Sequence, residues 1–104
     1  MEVIVNYRKP FVQFVKKQHK CFKLVIGYEV ERICDDIYIG ELKVGDLSGV
    51  RVHKFRFEKN EYLIAYYVDV STNLISTEIE FINLDFYKIG VHEKFYEELK
   101  KYLK

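Results

Sequence analysis

The spacing of hydrophobic and polar residues predicts a strand and then a short helix at the start of the chain. Residues 1–7 nearly alternate between apolar and polar side chains, with Ile4 as the exception, which is typical of a short strand. Pro10 suits the first turn of a helix, where its missing N–H costs nothing. Phe11 and Phe14 follow at helical spacing, so we expect a first helix directly after the strand.

A longer helix is predicted over residues 19–36. Its apolar positions recur every three or four residues, which is the stripe of an amphipathic helix. They are Phe22, Ile26, Val30 and Ile33, and Ile37 continues the spacing just after the predicted end. The two helices form a hairpin in the simplest arrangement. A turn-rich linker at residues 40–49 then leads into the second half of the chain.

The second half of the chain predicts three strands and a closing helix. Residues 50–57 and 62–70 are rich in β-branched and aromatic side chains and are separated by a short polar segment, which predicts an antiparallel hairpin. Residues 74–89 continue it as a third strand. After Gly90, apolar residues recur at helical spacing and predict a helix. Glutamates lie near its beginning and lysines near its end, which is the charge distribution that the helix dipole favours. Those apolar residues are Phe95, Leu99, Tyr102 and Leu103.

The composition indicates one globular domain over residues 1–104. This length is close to that of a common single-core domain, and the hydrophobic fraction of 49% and charged fraction of 32% are those of a soluble protein. The sequence has no run of about 18 apolar residues and no secretory signal pattern. We therefore expect a cytoplasmic protein with no membrane partner.

The two cysteines do not predict a disulfide or a metal site. Cys21 and Cys34 both fall in the second predicted helix. A separation of 13 residues corresponds to roughly 20 Å along a helix, whereas bonded cysteines have Cα atoms within about 7 Å. Buried free thiols are the expected state, and the sequence has no Cys or His cluster with metal-binding spacing. No cofactor is expected.

The strand predicted at residues 50–57 carries two pairs of basic residues on opposite faces. Alternation places Arg51 and His53 on one face, and Lys54 and Arg56 on the other. One face packs on the helices, so one of the two pairs points to the open side of the sheet. Such a pair can contact a phosphate. Exposed strands also carry Lys and Arg only to prevent edge pairing, so both interpretations remain.

His92 is a candidate for proton transfer. It follows Gly90 at a strand-to-helix junction, where backbone N–H groups and the helix dipole favour an anion. Histidine can protonate a leaving oxygen near neutral pH. The alternative is that His92 only helps to begin the helix. Tyr96 is four residues further on and shares a helix face with it, whereas His19 is predicted to be a surface residue.

Three segments together carry a family resemblance. They are DLSGVRVHKF at residues 46–55, EYLIAY at 61–66 and GVHEKFYEELK at 90–100. In their order and spacing, over about residues 42–104, the chain resembles toxins of the RelE/ParE superfamily from type II toxin-antitoxin modules. The resemblance implies a compact α+β fold in which an antiparallel sheet packs against an N-terminal helical hairpin, with a C-terminal helix.

The RNA-cleaving branch of that superfamily implies a ribosome-dependent mRNA endonuclease that needs no metal. The toxin enters the ribosomal A site, and a ribose 2′-OH of the mRNA attacks the adjacent phosphate. By position, the resemblance assigns phosphate stabilisation to Arg51, a supporting or base role to His53, acid catalysis to His92, and positioning or base stacking to Tyr96. The remaining cations of the strand and turn are expected to bind RNA, and they are Lys54, Arg56 and Lys59.

Two other functions remain open at this point. Many relatives have Tyr-Arg in the middle strand where this chain has Tyr62-Leu63, and the net charge is only +1. Both features favour a ParE-like toxin that inhibits DNA gyrase without cleaving RNA. The second alternative is an inactive module that only binds an antitoxin. In each case the resemblance implies a cognate antitoxin as a protein partner.

Overall fold

A five-stranded sheet forms the centre of the protein in the computed structural model, which describes residues 2–72 and 79–103. The strands are β1 (Glu2–Tyr7), β2 (Glu41–Leu42), β3 (Val50–Phe57), β4 (Asn60–Thr72) and β5 (Ile79–Val91). Their order across the sheet is β1-β5-β4-β3-β2. The β2–β3, β3–β4 and β4–β5 pairs are antiparallel, whereas β1 runs parallel to β5.

Three helices cover the described part of the sheet, and they are α1 (Lys9–Lys16), α2 (Lys20–Asp35) and α3 (Phe95–Leu103). The helices α1 and α2 pack on one face and α3 packs on the other. Because successive residues of a strand point to opposite faces, each central strand contributes to two cores. Within residues 2–72 and 79–103, no helix is long and apolar enough to cross a membrane.

The strand β3 shows how one sequence supplies both cores. Val50 and Val52 are buried against α3 together with Leu99, whereas Phe55 packs with Phe22 of α2. This is the alternation that the sequence predicts for residues 50–57. The face with Arg51, His53 and Phe55 therefore points toward the helical hairpin. The face with Val50, Val52 and Lys54 points toward α3.

The predicted α+β class and the order of strand, two helices, three strands and helix are confirmed. Residues 74–78 of the predicted third strand lie outside the described residues, and the strand that is described there is Ile79–Val91. The short strand Glu41–Leu42 was not predicted, because two residues are too few to show a period. The strands β2 to β5 pair antiparallel as predicted, but β1 joins them in parallel, so the sheet is mixed rather than antiparallel throughout.

The parallel strand is the opening one, β1. It pairs along its whole length with β5, from Glu2 beside Phe81 to Tyr7 beside Phe86. Most of its side chains are exposed, so its own pattern carries little information about its neighbour. The partner is also distant in the chain, and local spacing cannot indicate such a pairing.

Two hydrogen bonds of the Tyr66 hydroxyl hold the segment before β2 in place beside the sheet. The Tyr66 hydroxyl accepts a hydrogen bond from the Gly40 N–H and donates one to the Ile37 carbonyl, both at 2.9 Å. A Cβ atom at residue 40 would lie 2.8 Å from the Tyr66 ring, so only glycine fits. These hydrogen bonds fix the position at which the edge strand β2 begins.

Both cysteines are free, as predicted, but they are not buried. Cys21 is exposed and Cys34 is half-buried. Cys21 directly precedes the buried Phe22, so it points away from the face of α2 that packs on the sheet. Burial raises the pKa of the Cys34 thiol.

Candidate functional site

His92 and Tyr96 come together where β5 leads into α3. Their ring centroids are 5.9 Å apart and their planes are nearly perpendicular, at 81°. Lys94 between them adopts a left-handed conformation with φ of 63°, which reverses the chain. His92 is exposed, whereas Tyr96 is half-buried against the core under α3. The edge contact leaves the imidazole fixed on one side and open to solvent on the other.

Lys43 lies against the same tyrosine. Its Nζ is 5.3 Å from the centroid of the Tyr96 ring and donates a hydrogen bond of 2.9 Å to Glu41 Oε1. The hydrogen bond with Glu41 raises the pKa of Lys43, and Tyr96 contributes in the same direction. The same bond lowers the pKa of Glu41, and the charge of Lys54 lowers it further. A positive charge is therefore held beside the Tyr96 ring.

Lys54 and Arg56 lie on the α3 face of the sheet. The register aligns Lys54 with Leu63, and Leu63 with Gly90, in one row across three strands. Neighbouring strands are about 4.8 Å apart, so this row spans roughly 10 Å. Both cationic side chains are exposed. His92 itself lies in a depression with Tyr96, Lys94, Glu93 and Glu97. We use the name His92 cluster for the candidate residues that share this face of the sheet, which are His92, Tyr96, Lys43, Lys54 and Arg56.

His53 lies on the opposite face of the sheet, under α2. Its Nε2 is 2.7 Å from Glu29 Oε1, and the residues are only 5% and 7% exposed, respectively. Since an ionised carboxylate only accepts hydrogen bonds, Nε2 is the donor. Arg32 donates a further bond of 3.2 Å to the same oxygen. His53 therefore connects β3 to α2, away from His92.

Arg51 also faces the helical hairpin. Its guanidinium donates hydrogen bonds to the carbonyl oxygens of Tyr38 at 3.2 Å and Gly40 at 2.8 Å. It also lies 4.7 Å from the centroid of the Tyr38 ring. These contacts hold the segment between α2 and β2. The structure thus brings His92 together with Tyr96, but it does not bring Arg51 or His53 to them.

Lys59 lies at the tip of the β3–β4 hairpin and is exposed. Glu58 before it has a φ of 57°, so the turn is tight. This position continues the exposed cations of β3 beyond the end of the strand.

Glu41 and Lys43 are site residues that sequence reasoning missed. They fall in the segment that was predicted to be a turn-rich linker, where alternation is too short to be recognised. The only local signal is their spacing of two residues, which places both side chains on one face of an extended segment. Their relation to Tyr96 depends on tertiary contacts alone.

These residues together can bind an anion and move a proton. Ammonium and guanidinium groups form charge-assisted hydrogen bonds with phosphate oxygens. The exposed imidazole of His92 has ring nitrogens that can donate or accept a proton. Tyr96 offers an aromatic ring on which a base can stack.

A separate groove of about 460 Å³ lies between α1 and α2, beside the end of β1. Its walls are mainly apolar, with contributions from Tyr7, Phe11 and Ile26. Lys16 and Lys23 are its basic residues. The groove is on the far side of the sheet from the His92 cluster.

Comparison with known proteins connects this fold to one family. No curated protein and no solved structure gives a significant match to the chain. The model of the ParE-like toxins of type II bacterial toxin-antitoxin systems matches residues 5–100. This match includes every strand and helix described above, apart from the first three residues of β1 and the last three residues of α3. The protein therefore belongs to the ParE-like toxins and is the toxin of a type II toxin-antitoxin module, which implies a cognate antitoxin.

Proposed function

We propose that this toxin is a ribosome-dependent mRNA endonuclease. The observation that supports the proposal is the exposed His92, which is held by Tyr96 on the sheet side that also carries Lys54 and Arg56. In the reaction, the ribose 2′ oxygen forms a bond to the adjacent phosphorus and the bond from phosphorus to the 5′ oxygen breaks. The products are a 2′,3′-cyclic phosphate and a 5′-hydroxyl.

The roles within the His92 cluster follow from the charges that develop in this reaction. The 2′-hydroxyl loses a proton to a solvent water molecule, and the departing 5′ oxygen gains one. We assign the second transfer to His92, whose imidazole is exposed. Lys54 and Arg56 stabilise the additional negative charge on the phosphorane. Tyr96 positions the imidazole of His92 and stacks on a nucleobase of the RNA.

In this proposal Lys54 and Arg56 take the phosphate contact that the family resemblance gives to Arg51, and His53 does not take the supporting or base role that the resemblance gives to it. His53 is only 5% exposed and is bonded to Glu29, so RNA cannot reach its ring without displacing α2. Arg51 is engaged by two backbone carbonyls. Both residues support the sheet on which the site is built.

The double substitution Lys54→Ala/Arg56→Ala tests the assignment of the phosphate contact. We expect at least about 100-fold slower RNA cleavage, because removing donors that stabilise an oxyanion costs roughly this much. Stability should change little, since both side chains are exposed. Primer extension on a message after toxin induction measures the cleavage. The control is Lys17→Ala, at the exposed end of α1, and unimpaired cleavage in the double variant would contradict the assignment.

Inhibition of DNA gyrase is the second candidate function, and Leu63 favours it. Leu63 is fully buried with Phe95 and Leu99, so this position of β4 supplies an apolar contact where many nuclease relatives have arginine. A supercoiling assay with purified gyrase decides between the two functions. Unimpaired gyrase at saturating toxin excludes this candidate. A complete lack of growth effect without the antitoxin would instead indicate an inactive antitoxin-binding module.

We further propose that the antitoxin covers the groove between α1 and α2. The groove is largely apolar, and its charged residues are Lys16, Lys23 and Glu31, which favours an amphipathic partner segment with acidic residues opposite the two lysines. Gly27 lies in the groove wall, and among the described residues nothing comes within 4 Å of a Cβ atom placed there. A partner side chain can therefore approach the α2 backbone at this point.

The substitution Gly27→Arg is expected to weaken antitoxin binding at least about 10-fold while the toxin stays folded. The new side chain fills the groove, whereas replacing glycine within a helix by a better helix former stabilises it by roughly 0.5–1 kcal/mol. Titration calorimetry with the purified antitoxin measures the affinity. Gly27→Ala is the matched control, because it gives the helix gain without the bulk. If Gly27→Arg and Gly27→Ala bind the antitoxin with equal affinity, the antitoxin does not cover this groove.

A further inference from the structure

The edge strand β2 directs two charged residues toward the α3 face. Glu41 pairs with Val52, and the backbone N–H of Lys43 donates to the carbonyl of Val50 at 2.9 Å. Val50 and Val52 are buried against α3, so Glu41 and Lys43 extend the same face to the sheet edge. This edge lies next to Lys54 on β3.

The two charged groups differ in how firmly they are held. The side chain of Lys43 is 21% exposed, whereas that of Glu41 is 66% exposed. Lys43 rests against the Tyr96 ring, with Nζ 5.3 Å from the centroid. Glu41 is held by its hydrogen bond with the Lys43 ammonium group. The cation is therefore fixed at the site, and its counter-ion is the group that can move.

The carboxylate of Glu41 is paired with Lys43, and the charge of Lys54 acts on it without a direct contact. Glu41 accepts the hydrogen bond from Lys43, and its pKa is lowered by that bond and further by the charge of Lys54. An exposed ion pair of this kind adds little stability, so exchanging its partner costs little. A backbone phosphate of RNA carries a full negative charge and offers the same kind of acceptor oxygens. It can replace the carboxylate without leaving an ammonium group unpaired.

We propose that Lys43 is a further RNA-phosphate-binding residue of the His92 cluster, and that Glu41 is the carboxylate displaced by the phosphate. This inference rests on the proposed nuclease function, because it gives that site a contact on the β2 side of Tyr96. Lys43 and Lys54 then bind neighbouring phosphates of one strand, with the Tyr96 ring beside them. Glu41 competes with RNA and lowers its affinity.

Substitutions at residues 41 and 43 have opposite expected effects on RNA binding. The probe is a single-stranded RNA with 2′-O-methyl riboses, which cannot be cleaved by 2′-OH attack, and fluorescence anisotropy over a salt series gives Kd. Lys43→Met should weaken binding about 10-fold and reduce the slope of log K against log salt by about 0.7, the value for one phosphate contact on a single strand. Glu41→Gln should tighten binding about 2- to 5-fold, which is the range for an exposed ion pair. Lys43→Arg should retain binding.

The ion pair between Lys100 and Asp46, at 3.9 Å, is the matched control, because both of its side chains are largely exposed. Lys100→Met and Asp46→Asn should leave the affinity and the salt slope unchanged. Thermal unfolding of every variant verifies that the fold is intact.

Three results would overturn the inference. If Lys43→Met binds like the parent while Lys54→Met binds more weakly, Lys43 does not contact RNA and the nuclease proposal stands. If Glu41→Gln weakens binding as Lys43→Met does, Glu41 holds Lys43 in place and is not displaced. If neither Lys43→Met nor Lys54→Met changes binding and the parent cleaves no message, both proposals fail.

Discussion

Replacing His92 with alanine is expected to abolish growth arrest and to slow RNA cleavage by about 10²–10⁴-fold, the usual contribution of a positioned general acid. The free energy of unfolding should stay within about 0.5 kcal/mol of the parent, because the side chain is exposed. Growth after toxin induction without the antitoxin, together with primer extension on a cellular message, measures the effect. Chemical denaturation of the purified variant gives the stability.

His19 provides the matched control for this experiment. It is also an exposed histidine, and it precedes α2 without a side-chain capping bond. His19→Ala should therefore retain both growth arrest and stability. Full toxicity of His92→Ala would remove His92 from the chemistry and leave the proton donor unassigned.

Replacing His53 with alanine is expected to destabilise the fold by about 2–4 kcal/mol, because Glu29 then stays buried without its closest partner. For a domain of this size such a loss lowers Tm by roughly 10–20 °C. Any loss of toxicity in this variant should follow the fraction of unfolded protein. Thermal unfolding monitored by circular dichroism measures the shift.

A double substitution separates a structural role of His53 from a catalytic one. Replacing both members of a buried polar pair with apolar residues is often nearly neutral or even stabilising. We therefore expect Glu29→Leu/His53→Leu to recover most of the stability lost in His53→Ala, and to restore RNA cleavage with it. Recovered stability without cleavage would show that His53 is needed for the reaction, as the family resemblance implies.

Local periodicity was sufficient to predict most of the elements. The strand at residues 50–57 was predicted with its observed bounds because it is long, rich in β-branched and aromatic residues and ended by a polar turn. Periodicity could not indicate the parallel pairing of β1 with β5. That pairing joins segments almost 80 residues apart, and the exposed side chains of β1 show little preference for a partner.

The candidate site could be predicted only in part. The proximity of His92 and Tyr96 was predicted, but from a shared helix face, whereas α3 begins only at Phe95 and the left-handed Lys94 turns the chain so that the two rings meet. The choice between the two cationic faces of β3 was not visible, because it depends on which face docks on α2. Phe55 packs with Phe22 there, and His53 is bonded to Glu29, which lies 24 residues earlier in the chain. Lys43 was missed for the same reason, since Tyr96 is distant in the chain.

The chemistry of the cleaved RNA ends tests the central claim most directly. Purified toxin is added to translating ribosomes, the message is recovered, and its 3′ and 5′ ends are analysed by enzymatic end labelling and mass spectrometry. We predict 2′,3′-cyclic phosphates and 5′-hydroxyls with the parent and with His19→Ala, and intact message with His92→Ala. Intact message with the parent toxin, together with loss of gyrase supercoiling at the same toxin concentration, would contradict the nuclease assignment.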